Sequence, residues 1–278
     1  MRVVWQLLAA VAVAAIGGQA VTAVRANPWL TFAVGLSAAW FAVLVYGWVV
    51  RRTERRPSTE VAREGAASGI TRGALIGLGL FGTVIVNIFF LGYYEVHGRG
   101  SVSTAVGLIG FMAAAAVTEE VLYRGVLFRI IEERLGTWIS MALTGVLFGL
   151  SHLLNPDASL WGAIAVTLEA GGMFAAAFAA TRSLWLPIGL HFGWNFAASG
   201  IFSTVVSGNG DNQGLLDASM SGPALVTGGD FGPEGSLYAV VFCVLMTIGF
   251  IWLARRRGTI VPRRPRAERI AAASTLSR

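Results

Sequence analysis

Two carboxylates and a guanidinium stand inside an otherwise apolar run, Thr118-Glu119-Glu120-Val121-Leu122-Tyr123-Arg124-Gly125. Ionisable groups at membrane depth cost roughly 2.5 to 3.5 kcal/mol each on insertion scales, so such residues mark a site or a structural ion pair. On a helix Glu120 and Arg124 are i and i+4 and can meet, whereas Glu119 points about 100° away from Glu120. The spacing therefore predicts one neutralised acid and one free acid. Two imidazoles lie downstream in apolar runs: His152 closes Phe148-Gly149-Leu150-Ser151-His152, and His191 shares a helix face with Asn195. A carboxylate beside an imidazole can hold and deprotonate water. An Asn amide or an imidazole N–H in a dry site can stabilise an oxyanion. Either His alone is as well explained by a helix-to-helix hydrogen bond. It is the convergence of Glu119, Glu120, His152, His191 and Asn195 that points to chemistry. His97, in a loop beside Arg99, is outside this set.

The elements that must position these groups are membrane helices. With 55% hydrophobic and 13% charged residues in 278, and mean hydropathy +0.67, the chain is too apolar for an ordinary soluble domain. The expectation is an all-α, polytopic helical bundle with about eight transmembrane helices, each near the ~20 residues needed to cross a ~30 Å hydrocarbon core. The runs fall near 3–24, 28–50, 73–94, 102–122, 137–154, 159–180, 184–206 and 235–254. The first could also be read as a cleaved signal peptide, a reading made less favourable by the second run that follows at once. In outline, 1–100 holds the N-terminal helices with a cytoplasmic linker near 51–72, 101–206 the chemical core, 207–234 an extracytoplasmic loop, 235–254 the last span and 255–278 a basic tail.

All 21 basic residues are Arg. Strict alternation puts all but Arg25 and Arg99 on one side, so the positive-inside rule places both termini in the cytoplasm of an integral membrane protein, with a prokaryotic plasma membrane the expected setting. The net charge of +6 is thus accounted for by membrane loops and a tail beside anionic lipid, with no nucleic-acid partner expected. The Gly-rich 207–234 stretch reads as mobile coil. The single Cys243 allows no intrachain disulfide.

Gly136 ends the helix that carries the two acids. Glu120 lies 16 residues before it and His152 16 after, so an antiparallel hairpin turning there brings a Glu and a His level in the membrane.

At these residues the chain resembles the CPBP family of membrane-embedded proteases, which includes type II CAAX prenyl endopeptidases and bacteriocin-processing or immunity proteins. The resemblance rests on Glu119-Glu120-x-x-x-Arg124, Phe148-x-x-x-His152 and His191-x-x-x-Asn195 in family order, with Thr181-Arg182-Ser183-Leu184-Trp185-Leu186-Pro187-Ile188 before the last, and covers roughly 103–200. It implies intramembrane hydrolysis of a peptide bond in a membrane-associated substrate, prenylated or bacteriocin-like. Glu119 would be the general base, His152 would help hold the water, and His191 with Asn195 would stabilise the oxyanion. Glu120 and Arg124 would support the site as an ion pair. A metal is an open question. Glu119, His152 and His191 could form a hydrolytic zinc set with an open position, but no H-E-x-x-H spacing is present, and the reading favours a water held by Glu and His with no obligatory cofactor.

Three other chemistries compete. A serine protease built on Ser151 and His191 lacks the G-x-S-x-G frame. An aspartyl protease is disfavoured because Asp157, Asp211, Asp217 and Asp230 all fall in loops. A proton-coupled transporter or membrane scaffold could use the same Glu/His cluster, with Glu169 as a further intramembrane acid, although no paired halves accompany it.

Overall fold

A computed structural model describes residues 2–210 and 213–263. Its long helices are α1 (Arg2–Ala23), α2 (Pro28–Glu54) and α3 (Ala66–Phe90), then α4 (Val102–Glu120) and α5 (Arg129–Ser151). After α6 (Leu160–Val166), α7 (Gly172–Thr181) and α8 (Trp185–Asn195), the chain closes with α10 (Leu237–Arg256). Six helical stretches are long and apolar enough to cross a membrane, with Val102–Leu154 taken as one. That stretch nevertheless turns back on itself. Gly136 has φ 79° and ψ 169°, a conformation glycine adopts without a Cβ penalty, and the ring of Phe148 packs edge-on to Tyr123 at 4.9 Å between centroids. Residues 25 apart on one straight helix would be more than 35 Å apart by the helical rise of about 1.5 Å per residue.

Three segments are wound more widely than an α-helix. They are π-helical turns at Val121–Phe128, Thr167–Gly171 and Phe196–Ile201, and each adjoins a residue of the Glu/His/Asn set or its supports. Wide turns of this kind recur at functional sites because they change the rotational phase of a helix and loosen its carbonyl ladder.

Backbone contact through missing side chains holds the frame. A Cβ built on Gly73 would lie 2.3 Å from the Leu186 carbonyl oxygen, and one on Gly77 2.3 Å from that of Leu190. Reciprocally, Cβ atoms on Gly189 and Gly193 would lie 2.3 Å from the carbonyls of Ile70 and Ala74. Small residues four apart on both helices let α3 and α8 approach to this distance, the usual route to tight packing where lipid offers no hydrophobic drive. Gly35 of α2 and Gly110 of α4 repeat the arrangement.

Two expectations need correcting. The fold is not purely α-helical: β1 (Tyr94–Arg99) and β2 (Leu216–Met220) form an antiparallel pair, with the register interrupted between Val96 and Gly98. The 207–234 stretch is accordingly more than coil. Besides β2 it contains the single turn α9 (Ala224–Thr227) and short 3₁₀ turns, and Phe231, Pro233 and Glu234 are buried. Its glycines serve positive-φ turns, and its few apolar residues dock on the bundle, so low hydropathy did not mean disorder. His97, expected in a loop, lies on β1 and is hydrogen-bonded across this sheet to the Ser219 hydroxyl at 2.7 Å. Of the basic tail, residues 264–278 lie outside the described part; before them, Val261 lies across the Gly136 turn, accepting from the Thr137 amide at 3.0 Å.

Candidate active site

α4 presents a stripe at helical spacing, Thr104, Gly107, Leu108, Phe111, Met112, Ala115 and Glu119, to a cavity of about 690 Å³. The far wall includes Phe148, Ser151 and His152 from the end of α5, Phe174 from α7, and His191, Trp194 and Asn195 from α8. Glu119, His152, His191 and Asn195 therefore face one space, from three different helical segments.

The acids divide as the helical spacing predicts. Glu120 is fully buried and receives Arg124 Nη1 on Oε1 at 2.8 Å. Arg124, also fully buried, donates from Nη2 to the Ala170 carbonyl at 2.8 Å, which the wide turn at 167–171 leaves available. Its guanidinium carbon lies 4.8 Å from the Phe148 ring centroid and 5.2 Å from that of Phe174. A planar cation between two ring faces gains cation–π attraction in a site without bulk water. Glu119 instead keeps about a third of its side chain exposed to the cavity.

The imidazole paired with the acids is His191. Its Nδ1 is 3.0 Å from Glu120 Oε1 and its Nε2 3.9 Å from Glu119 Oε2. Because an ionised carboxylate only accepts, Nδ1 carries the proton and Nε2 is the nitrogen offered to the cavity. Phe174 stacks on the ring at 4.7 Å and fixes its plane. His152, which the hairpin count set opposite the glutamates, lines the same cavity but pairs with neither. Its Nδ1 lies 2.7 Å from the Phe148 carbonyl and its ring 4.8 Å from that of Phe148. That carbonyl is an obligate acceptor, so Nδ1 donates and Nε2 is again the free nitrogen. Counting about 1.5 Å per residue from Gly136 placed Glu120 and His152 level, but the wide turn at 121–128 lies inside that count and alters both rise and rotation. Asn195 borders the cavity, and among the described residues no side-chain partner holds its amide.

One contributor had no sequence signal. Glu234, buried at the loop end of the cavity, accepts from Trp194 Nε1 at 2.7 Å and from the Ser207 hydroxyl at 2.6 Å. It thereby ties the 207–234 stretch to the residue next to Asn195. Glu169 is fully buried, and among the described residues its Oε1 has no hydrogen-bond partner. As for a metal, no group of three His, Cys, Asp or Glu side chains among the described residues is placed to hold an ion.

A comparison with protein families bears on this geometry. Residues 100–197 match the model described as type II CAAX prenyl endopeptidase Rce1-like. No curated protein and no solved structure gives a significant match. The matched segment contains Glu119, Glu120, Arg124, His152, His191 and Asn195, so this part of the chain is similar to the type II CAAX prenyl endopeptidases over the residues that line the cavity.

Proposed function

We propose that this protein is an intramembrane endopeptidase that cleaves a membrane-associated peptide with a Glu119-activated water. The observation that carries the reading is the pairing of His191 between two glutamates of unlike burial, one locked by Arg124 and the other open to a cavity large enough for a peptide segment. A water 2.8 Å from both Glu119 Oε2 and His191 Nε2 fits their 3.9 Å separation at an angle of about 90°, an ordinary hydrogen-bond arrangement. Glu119 removes one proton as the oxygen attacks the substrate carbonyl, while the other hydrogen points to His191 Nε2; His152, on the same cavity wall, borders the position of attack. The Asn195 amide donates to the oxyanion. His191 can join it only after protonation at Nε2, because its Nδ1–H is committed to Glu120; Glu119, beside it, can hand on the proton it has just taken. The same proton then passes to the amine leaving group. Glu120 and Arg124 hold His191 in one tautomer and touch no reacting atom.

Orientation and topology complete the proposal. Eight crossings result if Val102–Leu154 crosses twice around Gly136 and Trp185–Ile201 crosses once. The Arg-rich end then lies in the cytoplasm, as the positive-inside rule requires. The substrate class includes prenylated C-terminal tails and bacteriocin-type peptides.

The test is turnover by purified protein in proteoliposomes, with a farnesylated C-terminal peptide and an unmodified membrane peptide as substrates. Glu119→Gln is expected to lower kcat by about 10² to 10⁴, the usual worth of a general base. Asn195→Ala is expected to lower it by about 10² to 10³, as for loss of one oxyanion donor. Ser151→Ala, whose hydroxyl is turned onto the Phe148 carbonyl, keeps its rate. Equal loss in Ser151→Ala and Glu119→Gln would replace the glutamate reading with a serine one, and turnover of neither peptide would favour the relay or scaffold role. Activity that survives phenanthroline supports the metal-free course; loss restored by zinc overturns it.

A further inference from the structure

The far end of the bundle carries a second opening that the catalytic reading does not use. A cleft of about 600 Å³ runs beside β2, walled on its other side by Ser203–Val205 and Gly229–Pro233. It adjoins the catalytic cavity, with Gln213 in the lining of both. What β2 offers to the cleft follows from its pairing. Leu215 accepts from the Gly100 amide at 2.9 Å, and the Ser221 amide donates to Tyr93 at 3.0 Å. In an antiparallel ladder, bonded and non-bonded positions alternate, so between these two bonded ends Ala218 and Met220 turn their N–H and C=O away from β1. The extra residue that interrupts the register is on β1 and leaves this alternation on β2 intact. Outside the ladder with β1, no backbone hydrogen bond reaches Ala218 or Met220 among the described residues. Leu216, the third such position, has its carbonyl taken by the Ser203 hydroxyl at the Gln213 end.

A strand edge that is sheltered in a cleft and stands next to the cavity holding Glu119 has the form of a strand-addition site. We propose that the polypeptide substrate binds as a third strand on the free edge of β2 and continues past Gln213 towards Glu119. The inference rests on the protease reading for the word substrate, though the binding step does not depend on cleavage. Its ligand is an extended segment recognised through main-chain hydrogen bonds, with side-chain preference set by the walls. β2, five residues long, covers about 17 Å at some 3.4 Å per residue, so the docked segment is short. Extended backbone is also the form in which a scissile amide can be offered to a water on one face.

The experiment uses the full chain carrying Glu119→Gln, so that binding is read without turnover. The probe is a fluorescein-labelled synthetic peptide of alternating Val and Thr with Lys at its ends, compared with the same peptide N-methylated at alternate residues. Fluorescence anisotropy is expected to show binding of the first and at least about tenfold weaker binding of the second, the loss of one or two net hydrogen bonds. Ala218→Pro in the protein is expected to weaken the first peptide by a similar factor. Its missing N–H faces the cleft and serves no internal pair, the position where a strand tolerates proline. The methylated peptide keeps the test decisive if Ala218→Pro does not fold. Equal affinity for both peptides, or no binding of either, overturns the proposal. Binding with these differences but no cleavage by the Glu119 protein would retain the docking site and remove the protease reading. Cleavage with equal affinity for both peptides would do the reverse.

Discussion

The two ends of the bundle treat polar groups in opposite ways. At the Arg-rich end a set of charges is paired between elements. Arg129 binds Glu54 of α2 at 2.8 Å and Gln6 of α1 at 2.8 Å, Arg56 binds both Glu54 and Glu60 at 2.6 Å, and Arg182 binds Glu132. Tyr46 donates to the Gly125 carbonyl at 3.1 Å, and Arg2 reaches Glu133. At the other end the helices part around the cavity, and the polar groups that line it, Glu119, Asn195 and the outward nitrogens of His152 and His191, face open space. The lesson is that adjacent charges on one membrane helix can meet opposite surroundings. Glu120 and Glu119 are adjacent in sequence, yet the first is enclosed by the Arg124 guanidinium and the His191 imidazole while the second opens onto the cavity.

The comparison can be broken most severely at the junction of the two regimes. Arg124→Met leaves Glu120 buried without its cation and is expected to destabilise the protein by about 3 to 5 kcal/mol in unfolding from detergent. Replacing Glu120 and Arg124 together by Leu is expected to recover most of that stability but not turnover, because His191 then loses the acceptor that sets its tautomer. A full recovery of turnover would mean that the pair has no bearing on the site. Next in size is the glycine seam. Gly193→Val is expected to cost about 1 to 3 kcal/mol by overpacking and to lower kcat by displacing His191. Gly79→Ala, where an added Cβ meets nothing within 4 Å, is expected to raise stability by up to about 1 kcal/mol. At the open end Glu234→Ala removes charge-assisted bonds worth about 1.5 to 3 kcal/mol. Much of that loss should remain local, appearing as faster hydrogen exchange in 205–236. The smallest effect belongs to the half-exposed Arg182, where Arg182→Gln should cost no more than about 1 kcal/mol and less in high salt.

Much of this was legible before the fold was known. Composition and run length announced a helical membrane protein, and i, i+4 spacing paired Glu120 with Arg124 and put His191 and Asn195 on one face. Gly136 was readable as a turn because nothing else in that stretch could end the helix. What escaped was whatever depends on packing between elements. His191 meets the glutamates because Gly189 and Gly193 seat α8 against α3, a spacing visible in the sequence as glycines four apart but meaningful only with its counterpart at Gly73 and Gly77. The sheet was hidden because neither strand is long or strongly apolar. Glu234 had no local pattern at all: a lone acid in a Gly- and Pro-rich stretch gives no hint of a tryptophan 40 residues earlier.

The wide turn at 121–128 has a bearing on how this chain can change. It stands between Glu119, which lines the cavity, and Arg129, which binds Gln6 of α1, so its winding sets the rotation of one contact relative to the other. Removing a single residue there would rewind the segment and force a choice between reactivity and anchorage. A gap in this segment among related sequences should therefore coincide with loss of one function or the other, whatever side chains survive around it.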